Sequence, residues 1–307
     1  MDIIVSGSLA LDRIMDFPGK FSDHILPDKI HMLNVCFMVN GMQEKFGGTA
    51  GNIAYNLGLL EEKPTIIGTA GKDFGEYKEW LEKNGLSTQG IRILEDTPTA
   101  SAYITTDQDD NQIIGFNPGA MGQPCNQKIN GFSKDNCLGI VSPGNLDDMQ
   151  EYPESFREKG IPFICDPGQA IPALSGEQLR KMMQGSHILV CNDYELEQVR
   201  QKTGLNNEEM LELTQNIIVT LGEKGGKIIN KTGEYPVPAV KVANAPDPTG
   251  AGDAFRAGVL KGLTQDMPLE EAARLGAVCA SFCVEKHGTQ AHSFTPDEVG
   301  KRLQGIS

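Results

Sequence analysis

The sequence predicts an α/β protein, with a largely parallel sheet covered on both faces by helices and a second, smaller β-only part. Three observations carry this. From residue 120 onward, short apolar runs alternate with amphipathic stretches at the spacing of strand–helix units. The apolar runs end on polar residues, among them Asp12, Asp166, Asn192 and Thr220, and ligands of such sheets sit at the carboxyl ends of the strands. Two stretches break the alternation: 13–45 is irregular, with Pro18, Gly19 and Pro27, and 98–118 is β-only.

Taken in order, residues 3–12 open the chain as one buried strand ending on small residues and an acid. Gly47, Gly48 and Asn52 lead into a helix over 53–60, by its apolar spacing. A strand follows at 65–70, and a helix at 74–83 with Tyr77, Trp80 and Leu81 on one face. Runs 100–106 and 112–116 read as a hairpin joined by the polar piece 107–111. Strands are expected at 138–142, 162–165, 188–191 and 217–220, and helices at 147–159, 175–183 and from 193 through 202. Ser175 and Gln178 have capping-box spacing. Residues 227–230 and 235–240 read as a β-meander, and helices follow after Gly252, over 269–284 and over 296–303.

Composition narrows the function classes. A formal net charge of -14 over 307 residues tells against nucleic acid and against an anionic membrane surface. A nucleotide ligand stays open, because backbone N–H groups and Mg²⁺ hold phosphates without net basic charge. The 7 cysteines show no Cys-x-x-Cys spacing, so neither a zinc site nor a redox dithiol is indicated, and a reducing, cytoplasmic setting is expected. No signal peptide is indicated, and the apolar stretch 275–284 is too short to span a bilayer. The five histidines lack metal spacing, and no P-loop, His-Arg-Asp loop or Gly-x-Ser-x-Gly elbow occurs.

The stretch Asp247-Pro-Thr-Gly-Ala-Gly-Asp253 reads as a turn that opens a helix. Gly250, Ala251 and Gly252 would let an anion approach the unpaired N–H groups of the first turn. Two readings stay open from these residues alone. Asp253 is either an ordinary first-turn acid, favourable at a helix N-terminus, or a base beside a phosphoryl group in transfer.

Four motifs in order remove much of that ambiguity: Gly47-Gly48-x-x-x-Asn52, Asn192-Asp-Tyr-Glu195, Thr220-Leu-Gly222-x-x-Gly225 and Asp247-Pro-Thr-Gly-Ala-Gly-Asp253. Together they resemble the ribokinase-like, or PfkB, family of small-molecule kinases over residues 3 to about 290. Phe17-Pro-Gly-Lys-Phe21, Leu26-Pro27, Phe116-Asn-Pro-Gly-Ala-Met121 and Asp166-Pro-Gly-Gln169 are more similar to the actinobacterial type of adenosine kinase than to sugar kinases.

The resemblance implies a three-layer α/β/α sandwich with a small β-sheet lid. Residues 1–12, 46–97 and 119–307 would form the large domain, and 13–45 with 98–118 the lid. It implies ATP and Mg²⁺ and transfer of the γ-phosphate to the 5′-hydroxyl of a nucleoside, adenosine first; exposed edges of the lid strands would let two copies pair as a homodimer. Ser8, Asp12, Gly47, Gly48, Asn52, Phe116 and Gln169 would face the nucleoside. Asp12 would accept from the sugar hydroxyls, since a carboxylate takes two donors of a cis-diol at once. Phe116 would stack on the base. Ala102 stands where the nearest relatives carry a second ring, and strand alternation points the neighbouring Tyr103 to the other face. Asn192, Thr220, Gly222 and Gly225 would line the ATP site, and Glu195 would organise Mg²⁺ through water. Asp247 and Thr249 would help seat a monovalent cation such as K⁺. Asp253 would be the base, beside the N–H groups of Gly250, Ala251 and Gly252. Sugar kinases, broad nucleoside kinases and a non-catalytic ligand-binding member of the fold are the alternatives.

Overall fold

The computed structural model describes residues 1–109 and 111–306. Asp110, in the expected hairpin connection, lies outside the described residues, and so do the side chains of Pro27, Lys29 and Ile30.

The first strand is not continuous. β1 spans Asp2–Ser6, the chain turns, and β2 (Ala10–Asp16) leaves for a second sheet. The turn is forced by packing and pairing. Gly7 donates its N–H to the Ile67 carbonyl and Ser8 to Pro143, which ends the β1 ladder. A Cβ on Gly7 would lie 2.2 Å from Ser142 Oγ. The expectation of one strand ending at Asp12 is therefore corrected: Asp12 sits inside β2.

Next come β3 (Met42–Gly47), α1 (Thr49–Leu59), β4 (Thr65–Gly71) and α2 (Gly75–Lys83). After them run β5 (Ile91–Leu94), β6 (Ala100–Thr106), β7 (Gln112–Asn117) and β8 (Cys137–Val141). The alternating half follows with α3 (Asp148–Lys159), β9 (Phe163–Cys165), α4 (Gly176–Met183), β10 (Ser186–Asn192) and α5 (Asp193–Thr203). It continues with the short α6 (Asn207–Met210), β11 (Thr214–Thr220), β12 (Gly226–Asn230) and β13 (Gly233–Val237). Helices α7 (Ala251–Thr264), α8 (Leu269–Cys283) and α9 (Pro296–Gln304) close the chain.

The strands form a nine-stranded sheet, β13-β12-β11-β10-β9-β8-β1-β4-β5, and a four-stranded one, β3-β2-β6-β7. The large sheet is parallel except where β12 and β13 pair antiparallel at one end. β1 shows why it is buried on both sides. Ile3 and Val5 point into a core shared with Ile53 and Leu57 of α1 and Val259 and Leu260 of α7. Ile4 points into the other core, with Phe156 of α3 and Leu179 of α4. Six cysteines are buried, free and packed as small hydrophobes, Cys165 and Cys191 among them, and burial pushes those two thiols up. Among the described residues no helix is long and apolar enough to cross a membrane.

After α8 the chain returns across α1, and a buried histidine ties the two together. Asn56 donates its amide to the Asn52 carbonyl at 2.9 Å, so its oxygen accepts from His292 Nε2 at 2.8 Å. His292 is 1 % exposed, its Nδ1 has no partner, and burial pushes its pKa down to about 4. Its folded pKa thus lies below the ordinary 6.5, and between the two values the unfolded chain binds more protons. The stabilisation is complete above pH 6.5 and is lost as pH falls towards 4, by about 3 kcal/mol in all. Urea unfolding across that window is expected to show the slope, and His292→Gln to remove it.

Candidate active site

Helix α7 starts without a side-chain cap. Its N-cap is Gly250, left-handed at φ 82°. Only glycine turns there readily, and a Cβ would also come within 3.0 Å of Thr289. The Asp247 carboxylate braces the approach, accepting from Thr249 N–H at 2.9 Å and from Gly288 N–H at 2.8 Å. Burial pushes that carboxyl up, but the two hydrogen bonds outweigh it and hold the group below the usual range. The Ala251 N–H closes on the Pro248 carbonyl at 3.2 Å. Among the described residues, the N–H groups of Gly250, Gly252 and Asp253 have no acceptor. In the expected cradle of Gly250, Ala251 and Gly252 the Ala251 donor is thus engaged by the turn, and the N–H of Asp253 is open beside those of Gly250 and Gly252.

The Asp253 side chain is half-buried, and its Oδ2 accepts from Asn52 Nδ2 at 2.8 Å. Its Oδ1 makes no hydrogen bond among the described residues and is not sealed from solvent. Burial pushes the carboxyl up, while Arg256 and the Asn52 amide pull it back and Glu195 adds to the push. Asn52 reaches Asp253 because α1 begins at Thr49, earlier than its apolar spacing implied. Gly48, at φ 87°, starts the helix, and Ser8 Oγ accepts the Thr49 N–H at 3.0 Å.

Beneath the cradle lies an ion pair that no motif announced. Arg256 is 8 % exposed and Asp166 1 %. Arg256 Nη2 donates to Asp166 Oδ1 at 2.6 Å, and Nε lies 2.5 Å from Oδ2 without an aligned N–H. Burial pushes Asp166 up to about 7 against the pull of Arg256. A Cβ on Gly252 would come within 2.7 Å of Arg256 Nη1, so the guanidinium packs directly against the first turn of α7. The available signal was an arginine among the small residues of 254–258 and an acid at a strand end.

The expected nucleoside residues come from the four-stranded sheet (Asp12, Gly47 and Phe116), from the start of α1 (Gly48 and Asn52) with Ser8 beside it, and from the turn after β9 (Gln169). Gly47 lies against Asp12, since a Cβ there would be 2.5 Å from Oδ2. Burial pushes the Asp12 carboxyl up to about 6, with Lys45 opposing. Lys45, Asp12, Ala102 and Phe116 stand opposite one another across β3, β2, β6 and β7, hence on one face. Phe116 is 51 % exposed, with the gap at Ala102 between it and Asp12. Tyr103 is on the other face, accepting from Arg13 at 2.8 Å. Asp12 lies against Gly47, whose carbonyl accepts from the Tyr77 hydroxyl, and Gln290 joins Tyr77 to Asn52 and so to Asp253, which brings the two acids into one region. Gln169 is exposed on the turn after Asp166, and no hydrogen bond joins it to the other expected residues.

The nucleotide-side residues lie together at the carboxyl ends of β10 and β11, where Asn192 pairs in register with Thr220. Gly222 and Gly225 shape the turn beyond, both left-handed, and a Cβ on Gly225 would come within 2.3 Å of the Val237 carbonyl. Asn192 and Glu195 form a capping box on α5: Asn192 Oδ1 accepts from Glu195 N–H at 2.7 Å and Glu195 Oε2 from Asn192 N–H at 2.8 Å. Their side chains thus have a structural partner each, and Glu195 keeps one oxygen free for another. Sequence reasoning also missed Gln290, which links Asn52 to Trp80 and Tyr77.

Comparison with known proteins gives the family and the fold. Residues 23–296 match the model of the pfkB family carbohydrate kinases. The nucleoside kinase of Methanocaldococcus jannaschii is 29 % identical over 274 residues, covering 88 % of this chain and 89 % of that protein. The structure of Burkholderia thailandensis nucleoside kinase with inosine superposes at a TM-score of 0.87, with 38 % identity over 99 % of this chain and 97 % of the other. Its complex with ADP-inosine gives 0.85 and 39 %, covering 99 % and 95 %.

Proposed function

The chain belongs to the pfkB family of carbohydrate kinases, and on that footing we propose that it is an ATP-dependent nucleoside kinase. It transfers the γ-phosphate to the 5′-hydroxyl of a purine nucleoside, adenosine being the substrate its sequence points to. One observation carries this reading: a half-buried carboxylate, Asp253, with one oxygen held by Asn52 and the other free, beside open N–H groups at the start of α7. Asp253 accepts the proton of the hydroxyl as that oxygen attacks phosphorus. The open N–H groups and the buried guanidinium of Arg256 sit where negative charge develops. The relatives with nucleoside kinase activity in their names, one of them holding inosine, support nucleosides over free sugars and bring inosine into the same trial.

Mg²⁺ is held without a protein cage in this reading. Among the described residues no cluster of three His, Cys, Asp or Glu side chains forms a metal site. A lone free carboxylate oxygen, on Glu195, fits an ion carried by the phosphates and water. When bound, Mg²⁺ neutralises charge on the phosphates. Thr220, Gly222 and Gly225 take the nucleotide. Asp247 and Thr249 would help seat a monovalent cation, since the Asp247 carboxylate keeps lone pairs beyond the two it uses to brace the turn. The four-stranded sheet serves as the lid. Its edge strand β7 is exposed along its length and carries no charge, and a second copy would pair there.

A panel of adenosine, inosine, other nucleosides, ribose and fructose with coupled ADP detection tests the proposal. Turnover of sugars but not nucleosides would replace it with a sugar kinase, and no ATP turnover at all would leave a binding protein. Asp12→Ala is expected to weaken nucleoside binding about 10- to 100-fold, the loss of hydrogen bonds to a charged acceptor. Calorimetry should find ATP binding little changed, and equal losses for both ligands would remove Asp12 from the sugar site.

A further inference from the structure

Gln290 lies outside every motif that pointed to the site. It is 7 % exposed, and both polar atoms of its amide have partners. Its Oε1 accepts from Trp80 Nε1 at 2.9 Å. Its Nε2 donates to Asn52 Oδ1 at 3.0 Å and to the Tyr77 hydroxyl at 2.7 Å, and Tyr77 donates onward to the Gly47 carbonyl at 2.9 Å. The direction of these bonds is dictated by chemistry. An indole N–H can only donate, so the oxygen of Gln290 must face Trp80. The amino group of Gln290 then faces Asn52, which turns the Asn52 oxygen towards it and the Asn52 amino group towards Asp253. The order of donors runs one way, from the chain's single tryptophan to the Asp253 carboxylate.

We propose that Gln290, oriented by Trp80, is a positioning residue for phosphoryl transfer: it locks the Asn52 amide so that Asp253 presents one free oxygen to the incoming hydroxyl. This rests on the kinase reading above. An Asn amide has two orientations of nearly the same shape, and the flipped one sets oxygen against a carboxylate oxygen. Besides the repulsion from Asp253 itself, Gln290 is what favours one orientation, since among the described residues nothing else bonds Asn52 Oδ1. Other charges facing Asp253 do not replace the Asn52 bond. Glu195 of α5 opposes the Asp253 charge and Arg256 favours it, while Asp253 in turn pushes up Asp166 beneath it, the Cys283 thiol of α8 and the Tyr77 hydroxyl of α2.

The test is the pH dependence of the full-length enzyme. In Gln290→Leu the acidic limb of kcat is expected to move up by about one unit, with KM for ATP unchanged. Trp80→Phe, which keeps the ring between Tyr55 and Phe46 but removes the N–H, should move it the same way by less. A ¹³C NMR titration of the Asp253 carboxyl reads the same shift without turnover. An unmoved limb and titration in folded Gln290→Leu overturns the positioning role. Should that variant fail to fold, an unmoved limb in Trp80→Phe overturns it. An inactive wild-type protein would sink the kinase reading instead, and the NMR titration would still decide whether Gln290 governs Asp253.

Discussion

Asp253→Asn is expected to lower kcat by about 10²–10⁴, the usual cost of losing a general base. The amide keeps an oxygen for Asn52 to donate to, so the melting transition should stay close to that of the wild type. The pH profile makes the assignment sharper. Burial holds the Asp253 carboxyl above the ordinary range despite Arg256 and Asn52. Its deprotonated form is therefore lost at a higher pH than a surface carboxylate would be. Wild-type kcat should rise with pH through a limb above the usual carboxylate value, and the variant should lack that limb. Near-normal turnover in the variant, measured by ADP release, would remove Asp253 from the mechanism and leave the kinase without the base assigned to it.

The second large effect is on stability. Arg256→Met is expected to destabilise the fold by about 3–5 kcal/mol, because it leaves the buried Asp166 carboxyl without its partner, either charged and unpaired or forced to take up a proton. Adding Asp166→Asn should recover much of that loss, since the double variant buries no charge. Urea unfolding of the single and double variants separates the two cases. If the single variant cost less than about 1 kcal/mol, the value of an exposed pair, the ion pair would be no foundation for the first turn of α7. The double variant is also expected to keep a weak anion cradle, because the open N–H groups remain while the guanidinium against Gly252 is gone.

Much of the fold was legible in the residues because it follows from local periodicity. Ile3, Ile4 and Val5 form a strand buried on both faces, and an unbroken apolar run says so. Ser175 and Gln178 do form a capping box, a pattern with a four-residue reach. The break at Gly7 was not read as one, since the short Ser6-Gly7-Ser8 joins two apolar runs, 3–5 and 9–11, into what looks like a single strand. It depends on Ser142, Pro143 and Ile67, which only the closed sheet brings to that turn. β5 was missed for a related reason: Ile91–Leu94 is short and carries Arg92, and it becomes a strand by pairing with β4 at the sheet edge.

The stretch 247–253 could be singled out from the sequence because its Gly-rich turn, helix start and Asp253 resemble a family motif, while the residues alone left an ordinary first-turn acid open. Its surroundings could not. Asn52 and Asp253 are 201 residues apart, and Gln290 is 238 from Asn52. Amides and an arginine carry no spacing rule, since their role depends on which donor or acceptor packing sets opposite them. By itself the sequence determined the alternation of strands and helices, the kinase family and the acid at the start of α7. Tertiary structure alone decided which N–H groups stay open, which oxygen of Asp253 is free and which charge lies beneath it, because hydrogen-bond direction and desolvation exist only once distant segments meet.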